Sequence, residues 1–333
     1  MLPLQQAYEV RGSILEFIRT TYRFKDTALQ KAFYEFIEDP QRGLLKGPYV
    51  SLKAPFVSAP EGYSVPLEIA PCFEPYLHQI EAFNQLTTRD GHAPENTLIT
   101  TGTGSGKTEC FLFPILDYCY QHIGEKGIKV IILYPMNALA TDQAKRLAEA
   151  IWADERLKGK VTAGLFIGKG TDKKDFSQVM TEHGIIEDAR QIVANPPDIL
   201  LTNFKMLDYG IMKSENAPLW KHNVAAPNLL RFLILDELHT YDGAQGTDVA
   251  NLIRRLKLRI GMDRGILCGI GTSATIGSGE DSKQLLCEYA SDIFGEEFLP
   301  QNVIEEHRVS AIDLFPGKPK AISPLNGLWI AWP

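Results

Sequence analysis

Eight consecutive residues carry the most chemistry in this sequence. They are Thr101, Gly102, Thr103, Gly104, Ser105, Gly106, Lys107 and Thr108, next to the apolar run TLITT at 97–101. Three glycines this close together let successive backbone N–H groups turn inward, the geometry that wraps a chain of phosphates. A helix opening near Gly106 adds the partial positive charge of its N-terminus. Lys107 is then expected to lie against the β- and γ-phosphates, and the Thr108 hydroxyl to ligate Mg²⁺. The strict phosphate-loop pattern is GxxxxGKT or GxxxxGKS, and Thr101 stands where its first glycine would be. A glycine-rich turn with a chance lysine is the plain alternative, and the strand before it and the helix after it weigh against that.

A phosphate loop that hydrolyses nucleotide needs a second strand ending in a carboxylate for the metal. RFLILDELH (231–239) supplies one, with Asp236 followed at once by Glu237. Asp236 is expected to hold Mg²⁺, directly or through a water, and Glu237 to orient and deprotonate the attacking water. Alone, such a pair is as readily a helix N-cap, and the phosphate loop on an earlier strand shifts the balance toward chemistry. His239 sits in no HExxH pattern, so a polar contact coupling this loop to GTSAT (271–275) is the expectation. A plain surface or core histidine is the alternative.

These residues need strands to carry them, and the chain has a suitable pattern. Short apolar runs recur at 97–101, 129–135, 161–168, 198–203, 231–237 and 265–274, separated by longer amphipathic stretches. One such stretch puts Val249, Leu252, Ile253, Leu256 and Ile260 on one face, with Arg254 and Arg255 turned away. Strands that are apolar throughout, alternating with amphipathic helices, predict a mostly parallel α/β sheet covered on both faces. In such sheets ligands sit beyond the carboxyl ends of the strands, where this chain places TGTGSGKT, YPMN, LLTN, LDELH and GTSAT. Before the sheet, Ile14, Leu15, Ile18 and Tyr22, then Leu29, Phe33, Phe36 and Ile37, are spaced as two amphipathic helices. A proline- and glycine-dense extended stretch follows them.

Composition bounds the rest. The 333 residues are 44% hydrophobic with a formal net charge of −7, which gives no sign of the basic face usual in nucleic-acid binders. Five cysteines without a CxxC pair read as reduced packing residues, so neither disulfide nor metal staple is expected. No basic, apolar leader opens the chain, and no run nears the roughly 20 apolar residues of a bilayer span. A soluble, cytoplasmic protein is therefore expected.

Taken together, the motifs resemble the DEAD/DEAH-box motors of helicase superfamily 2, in the family order, over residues 71–278. The family's first motif often reads AxxGxGKT, which accounts for Thr101. DELH resembles the second motif, and GTSAT the third, where Ser273 and Thr275 couple ATP to strand movement. CFEPYLHQIEAF resembles the segment that reads adenine, which implies that Gln79 bonds the base edge and that Tyr76 or Phe73 packs on the ring. YPMNALATDQ and LLTNFKMLDY resemble nucleic-acid-facing motifs, which implies that Asn137 and Thr202 touch strand phosphates; helix capping is the other role open to them. Such contacts position a backbone with little net positive charge.

Within the superfamily the segments most resemble the large Lhr-like and YprA-like helicases, whose relatives often occur in DNA-repair or anti-phage defence loci. DNA is accordingly favoured over RNA. The resemblance implies a RecA-like domain using ATP and Mg²⁺ that needs a second RecA-like domain for its γ-phosphate arginines. The residues after GTSAT contain no QxxGRxGR-like stretch, and Arg254 and Arg255 belong to the first domain, so they are poor candidates for those arginines. The expected division is a helical extension with a linker over 1–70, the RecA-like domain over 71–295 and a tail over 296–333. On this reading the chain is the N-terminal motor half of a larger helicase, binding ATP weakly alone and hydrolysing it poorly. A nucleotide-dependent regulatory module is the competing reading. A small-molecule kinase is disfavoured by the absence of an arginine-rich lid and by loops a kinase does not need.

Overall fold

A four-residue run with no polar interruption can be buried throughout only if both faces of its sheet are covered. In the computed structural model, which describes residues 3–39, 42–45, 54–102, 104–168, 177–274 and 280–314, all six expected runs are strands. They are β1 (Thr97–Thr100), β2 (Val130–Leu133), β3 (Ala163–Phe166), β4 (Ile199–Thr202), β5 (Phe232–Leu235) and β6 (Cys268–Ser273), every residue of them buried. A seventh strand, β7 (Val303–Glu305), comes from the expected tail. The order is β3-β4-β2-β5-β6-β1-β7, and every neighbouring pair is parallel. This is the RecA-like α/β arrangement expected from the sequence.

The chain divides into two compact units, Phe56–Arg308 and a second built from the residues on either side of it. The first part of the second unit holds α1 (Pro3–Thr21) and α2 (Thr27–Glu38). Asp26 caps α2 by accepting from the N–H groups of Ala28 and Leu29 at 2.8 and 3.0 Å. Of the eight apolar residues spaced along these helices, only Ile18 and Ile37 are buried, and Leu29 and Phe36 stand exposed. The expected boundary at 296 falls inside the sheet-bearing unit, where Glu296 pairs with Lys257 at 2.5 Å.

Within that unit the helices are α3 (Leu77–Leu86), α4 (Lys107–Gln121), α5 (Asn137–Ala153), α6 (Ala189–Ala194), α7 (Phe204–Met212), α8 (Lys221–Ala225), α9 (Gly243–Ile260) and α10 (Glu280–Phe294). Side chains alternate across a strand, and this splits the core in two. Ile99, Ile132 and Leu201 meet α3, α4 and α5 on one face, while Leu98, Leu133 and Leu200 meet α7, α9 and α10 on the other. The five residues expected on the inner face of α9 are all buried. Among the described residues no helix is long and apolar enough to cross a membrane, and all five cysteines are free.

One charged pair lies at the other end of the sheet. Lys129, fully buried just before β2, pairs with Asp198 just before β4 and donates to the Glu125 carbonyl at 2.7 Å. Asp198 also accepts from the Thr162 N–H and hydroxyl at 2.7 and 2.9 Å, tying the starts of three adjacent strands together. Removing one partner of a buried pair strands the other charge, which costs about 3–5 kcal/mol. Asp198→Ala is therefore expected to lower unfolding stability by that amount in urea titrations, with Lys129→Met in the same background restoring part of it.

Candidate active site

The register decides which loops meet. Thr100 pairs with Ser273 across β1 and β6, and Leu235 pairs with Gly271 across β5 and β6. The loop after β1 and the acids after β5 must then emerge on either side of residues 272–273. Gly271 makes this possible: a Cβ there would stand 2.7 Å from the Leu98 side chain and 2.9 Å from that of Leu238.

After β1 the chain passes through Gly104 at φ 80° and Gly106 at φ 77°, in the left-handed region that glycine enters without strain. Gly106 is the N-cap of α4, so Lys107 and Thr108 open its first turn. The Lys107 Nζ donates to the Ser273 carbonyl at 2.7 Å. The buried Ser105 hydroxyl lies 2.7 Å from the Thr101 hydroxyl and 2.8 Å from the Gly102 carbonyl, so the residue that departs from the strict pattern fastens the loop from inside. Thr103 lies outside the described residues.

Two neighbours in α3 hold the loop from below. His78 Nε2 meets the Ser105 carbonyl at 2.8 Å, and the Gln79 amide donates to the Gly106 carbonyl at 3.1 Å while accepting from the Tyr76 N–H at 2.9 Å. A Cβ on Gly106 would stand 2.3 Å from that amide. Gln79, expected to bond a base edge, is 1% exposed here and fastens the loop with both ends of its amide engaged. Tyr76 stacks on His78 with ring centroids 5.6 Å apart, beside Phe56, whereas Phe73 packs on Phe113 of α4. His78 escaped the sequence reading because its only signal was adjacency to Gln79.

After β5, Asp236 is largely buried and accepts from the Thr272 hydroxyl at 2.5 Å. Burial raises its carboxyl above the ordinary range and Glu237 adds to that, while the Thr272 bond and the nearby Lys107 charge pull it down. Glu237 sits in the left-handed region at φ 51°, ψ 53°, a conformation that costs a non-glycine residue about 1–2 kcal/mol. Its N–H donates to the Thr272 hydroxyl at 3.0 Å, and its carbonyl accepts from the Thr240 N–H and hydroxyl, both at 2.8 Å. His239 Nδ1 is 3.3 Å from the Ser273 hydroxyl and 3.5 Å from the Glu237 carboxylate. Thr275 lies outside the described residues.

No cluster of three or more potential metal ligands occurs among the described residues. An ion such as Mg²⁺ needs no such cluster, since it takes one or two protein oxygens and fills its octahedron with phosphates and water. Asp236 and Thr108 would supply those oxygens, and a cation there would offset the burial that raises the Asp236 carboxyl.

Further along the strand ends, α5 opens at Asn137 beside β4. The Asn203 amide donates to the Asn137 Oδ1 at 2.7 Å and caps α7 by accepting from the Met206 N–H at 2.9 Å. Thr202, expected to face a nucleic acid, is fully buried and donates to the Phe166 carbonyl at 2.5 Å. It is the last residue of a covered strand, so the pleat turns it inward, and Asn203 is the group presented beside Asn137. Arg254 and Arg255 are engaged with the Asp292 carbonyl and Asp208 at 3.0 and 2.6 Å.

His78 gives the site a pH signature. Burial holds its pKa below the ordinary 6.5, and Glu81, Glu306 and His307 are the charged groups that act on it. The unfolded chain therefore binds this proton more readily than the folded one. The stability tied to neutral His78 is complete above pH 6.5 and is lost as pH falls through the folded value. Urea titrations between pH 7 and 5 are expected to show that decline, and His78→Gln to flatten it.

Residues 76–282 match the DEAD/DEAH box helicase family. Over 208 residues the chain is 36% identical to the uncharacterized ATP-dependent helicase YprA of Bacillus subtilis, covering 61% of this chain and 23% of YprA. It is 28% identical over 233 residues to the uncharacterized ATP-dependent helicase MJ1574 of Methanocaldococcus jannaschii, covering 69% and 30%. A solved structure of the helicase MrfA bound to DNA and AMPPNP is similar with a TM-score of 0.52 at 27% identity, over 76% of this chain and 30% of MrfA. The chain thus spans less than a third of the length of each of these relatives. With the phosphate loop, the paired acids and the third-motif strand meeting at one edge of a RecA-like sheet, the chain belongs to the DEAD/DEAH box helicase family.

Proposed function

We propose that this chain is the first motor domain of an ATP-dependent DNA helicase or translocase, and that it binds ATP with Mg²⁺ at the ends of β1, β5 and β6. The observation that carries the reading is the convergence of Lys107 and Asp236 on two consecutive residues of β6, through the Ser273 carbonyl and the Thr272 hydroxyl. Bound Mg²⁺ would neutralise charge on the phosphates as it develops. Lys107 would exchange its carbonyl contact for the β- and γ-phosphate oxygens, and the loop N–H groups would orient the chain of phosphates. Glu237, with its backbone pinned and its carboxylate part-exposed, would align the attacking water and take its proton.

A second RecA-like domain, supplied by the longer protein or in trans, would close the site with arginines, a contribution of about 10³–10⁵ in rate in related phosphoryl transfer. Asn137 and Asn203, side by side at two helix N-termini, would contact the phosphates of one strand without reading sequence. DNA is the strand we favour, supported by the DNA-bound relative. His239 and Ser273 would report the state of the nucleotide to that track. The division into an N-terminal extension, a motor domain and a tail is part of the same proposal.

Binding of a fluorescent ATP analogue tests the site in this chain alone. Lys107→Ala removes a charge-assisted contact worth about 1.5–3 kcal/mol, so affinity is expected to fall about ten- to a hundredfold, and unchanged affinity would overturn the assignment. With a second RecA-like domain supplied, DNA-stimulated ATP turnover is expected, and Glu237→Gln should keep binding while lowering turnover by about 10²–10⁴. Nucleotide binding with no DNA-stimulated turnover would favour a regulatory module instead.

A further inference from the structure

The hydroxyl of Thr272 bonds to both acids at once. It donates its single proton to Asp236 Oδ1 at 2.5 Å and accepts the Glu237 N–H at 3.0 Å. Thr272 is fully buried on β6, so its rotamer is set by packing rather than by solvent. The two bonds do different jobs. The first fixes which way the Asp236 carboxylate points, leaving its other oxygen for a ligand. The second falls on a backbone that Glu237 would not adopt on its own, since left-handed conformations of non-glycine residues persist only where the surroundings over-determine them. The 3-10 turn that follows, closed by Thr240 on the Glu237 carbonyl, pins the far side of the same residue.

We propose that Thr272 is a positioning residue for the hydrolytic acids, holding Asp236 in its metal-binding orientation and Glu237 in its base-presenting conformation through one hydroxyl. The inference rests on the nucleotide reading given above. It also gives the third-motif strand a direct role on the chemistry, distinct from the contact between His239 and Ser273 one residue further on. Valine matches the shape of Thr272 but has neither donor nor lone pair, whereas serine keeps both. Orientation of a metal ligand should show in how much Mg²⁺ improves nucleotide binding, and not in binding without metal, which Lys107 and the loop N–H groups carry.

The test is a titration of a fluorescent ATP analogue into the wild type, Thr272→Val, Thr272→Ala and Thr272→Ser, with Mg²⁺ and with excess chelator. Circular dichroism and thermal unfolding check that each variant is folded. Val and Ala are expected to lose most of the Mg²⁺-dependent gain in affinity, about tenfold for one hydrogen bond to a charged group, with metal-free affinity unchanged. Ser should stay within about threefold of the wild type on the same footing. With a second RecA-like domain supplied, Val should also lower kcat for Mg²⁺-bound ATP, while the metal-free Kd stays where the wild type has it. If folded Val and Ala keep the full gain, or if Ser loses as much as they do, Thr272 does not position the acids. If the wild type shows no gain from Mg²⁺ and Lys107→Ala leaves affinity untouched, the nucleotide site itself fails and this inference goes with it.

Discussion

The site exists because β6 lies between β1 and β5 with all three strands parallel. Parallel strands present their carboxyl ends at one edge, so the loop after β1 and the acids after β5 emerge on either side of the same two residues. Those residues divide the work by atom type. Ser273 offers a carbonyl to the Lys107 ammonium, and Thr272 offers a hydroxyl that can serve a carboxylate and an N–H together. An antiparallel neighbour or a one-residue slip would face one group or the other away, since successive side chains point to opposite faces.

Around that junction the phosphate loop is braced on several sides. The chain before it contributes His78 and Gln79 against two successive loop carbonyls, and the chain after the core contributes Glu306, whose carboxylate accepts the Gly102 N–H at 2.9 Å. A loop meant to hold several phosphate oxygens gains from being set before the ligand arrives, because ordering that would otherwise accompany binding is already in place. The acidic net charge is no obstacle to this design. The groups we propose to face phosphates are backbone N–H groups, one lysine and short amides, and none of them needs a basic surface.

Much of this was legible in the sequence, and the reasons differ by element. The six strands could be read because uninterrupted apolar runs at a parallel-sheet spacing admit few other structures. That Lys107 would come near Asp236 and Glu237 could be read because all three follow apolar runs, and parallel strands present their carboxyl ends at one edge. β7 was missed because three residues, VIE, carry no period, and its strand character comes from pairing with β1. Thr202 lies buried for a related reason: which way the last side chain of a strand points depends on the sheet above and below it, and the part-exposed group beside Asn137 is Asn203. Gln79 and His78 were decided by tertiary contact with the loop, and Thr272 gave no signal because a threonine in an apolar run is an ordinary β-former.

The position of β7 has a practical side. Cutting the gene after the last recognisable motif, near residue 282, would keep every signature segment and still remove the strand that covers the outer side of β1. The N–H and C=O groups of β1 would then form an open edge, a template for pairing with other chains, and Gly102 would lose its carboxylate partner. A fragment meant for crystals or binding measurements should therefore be carried through Arg308, where the compact unit ends.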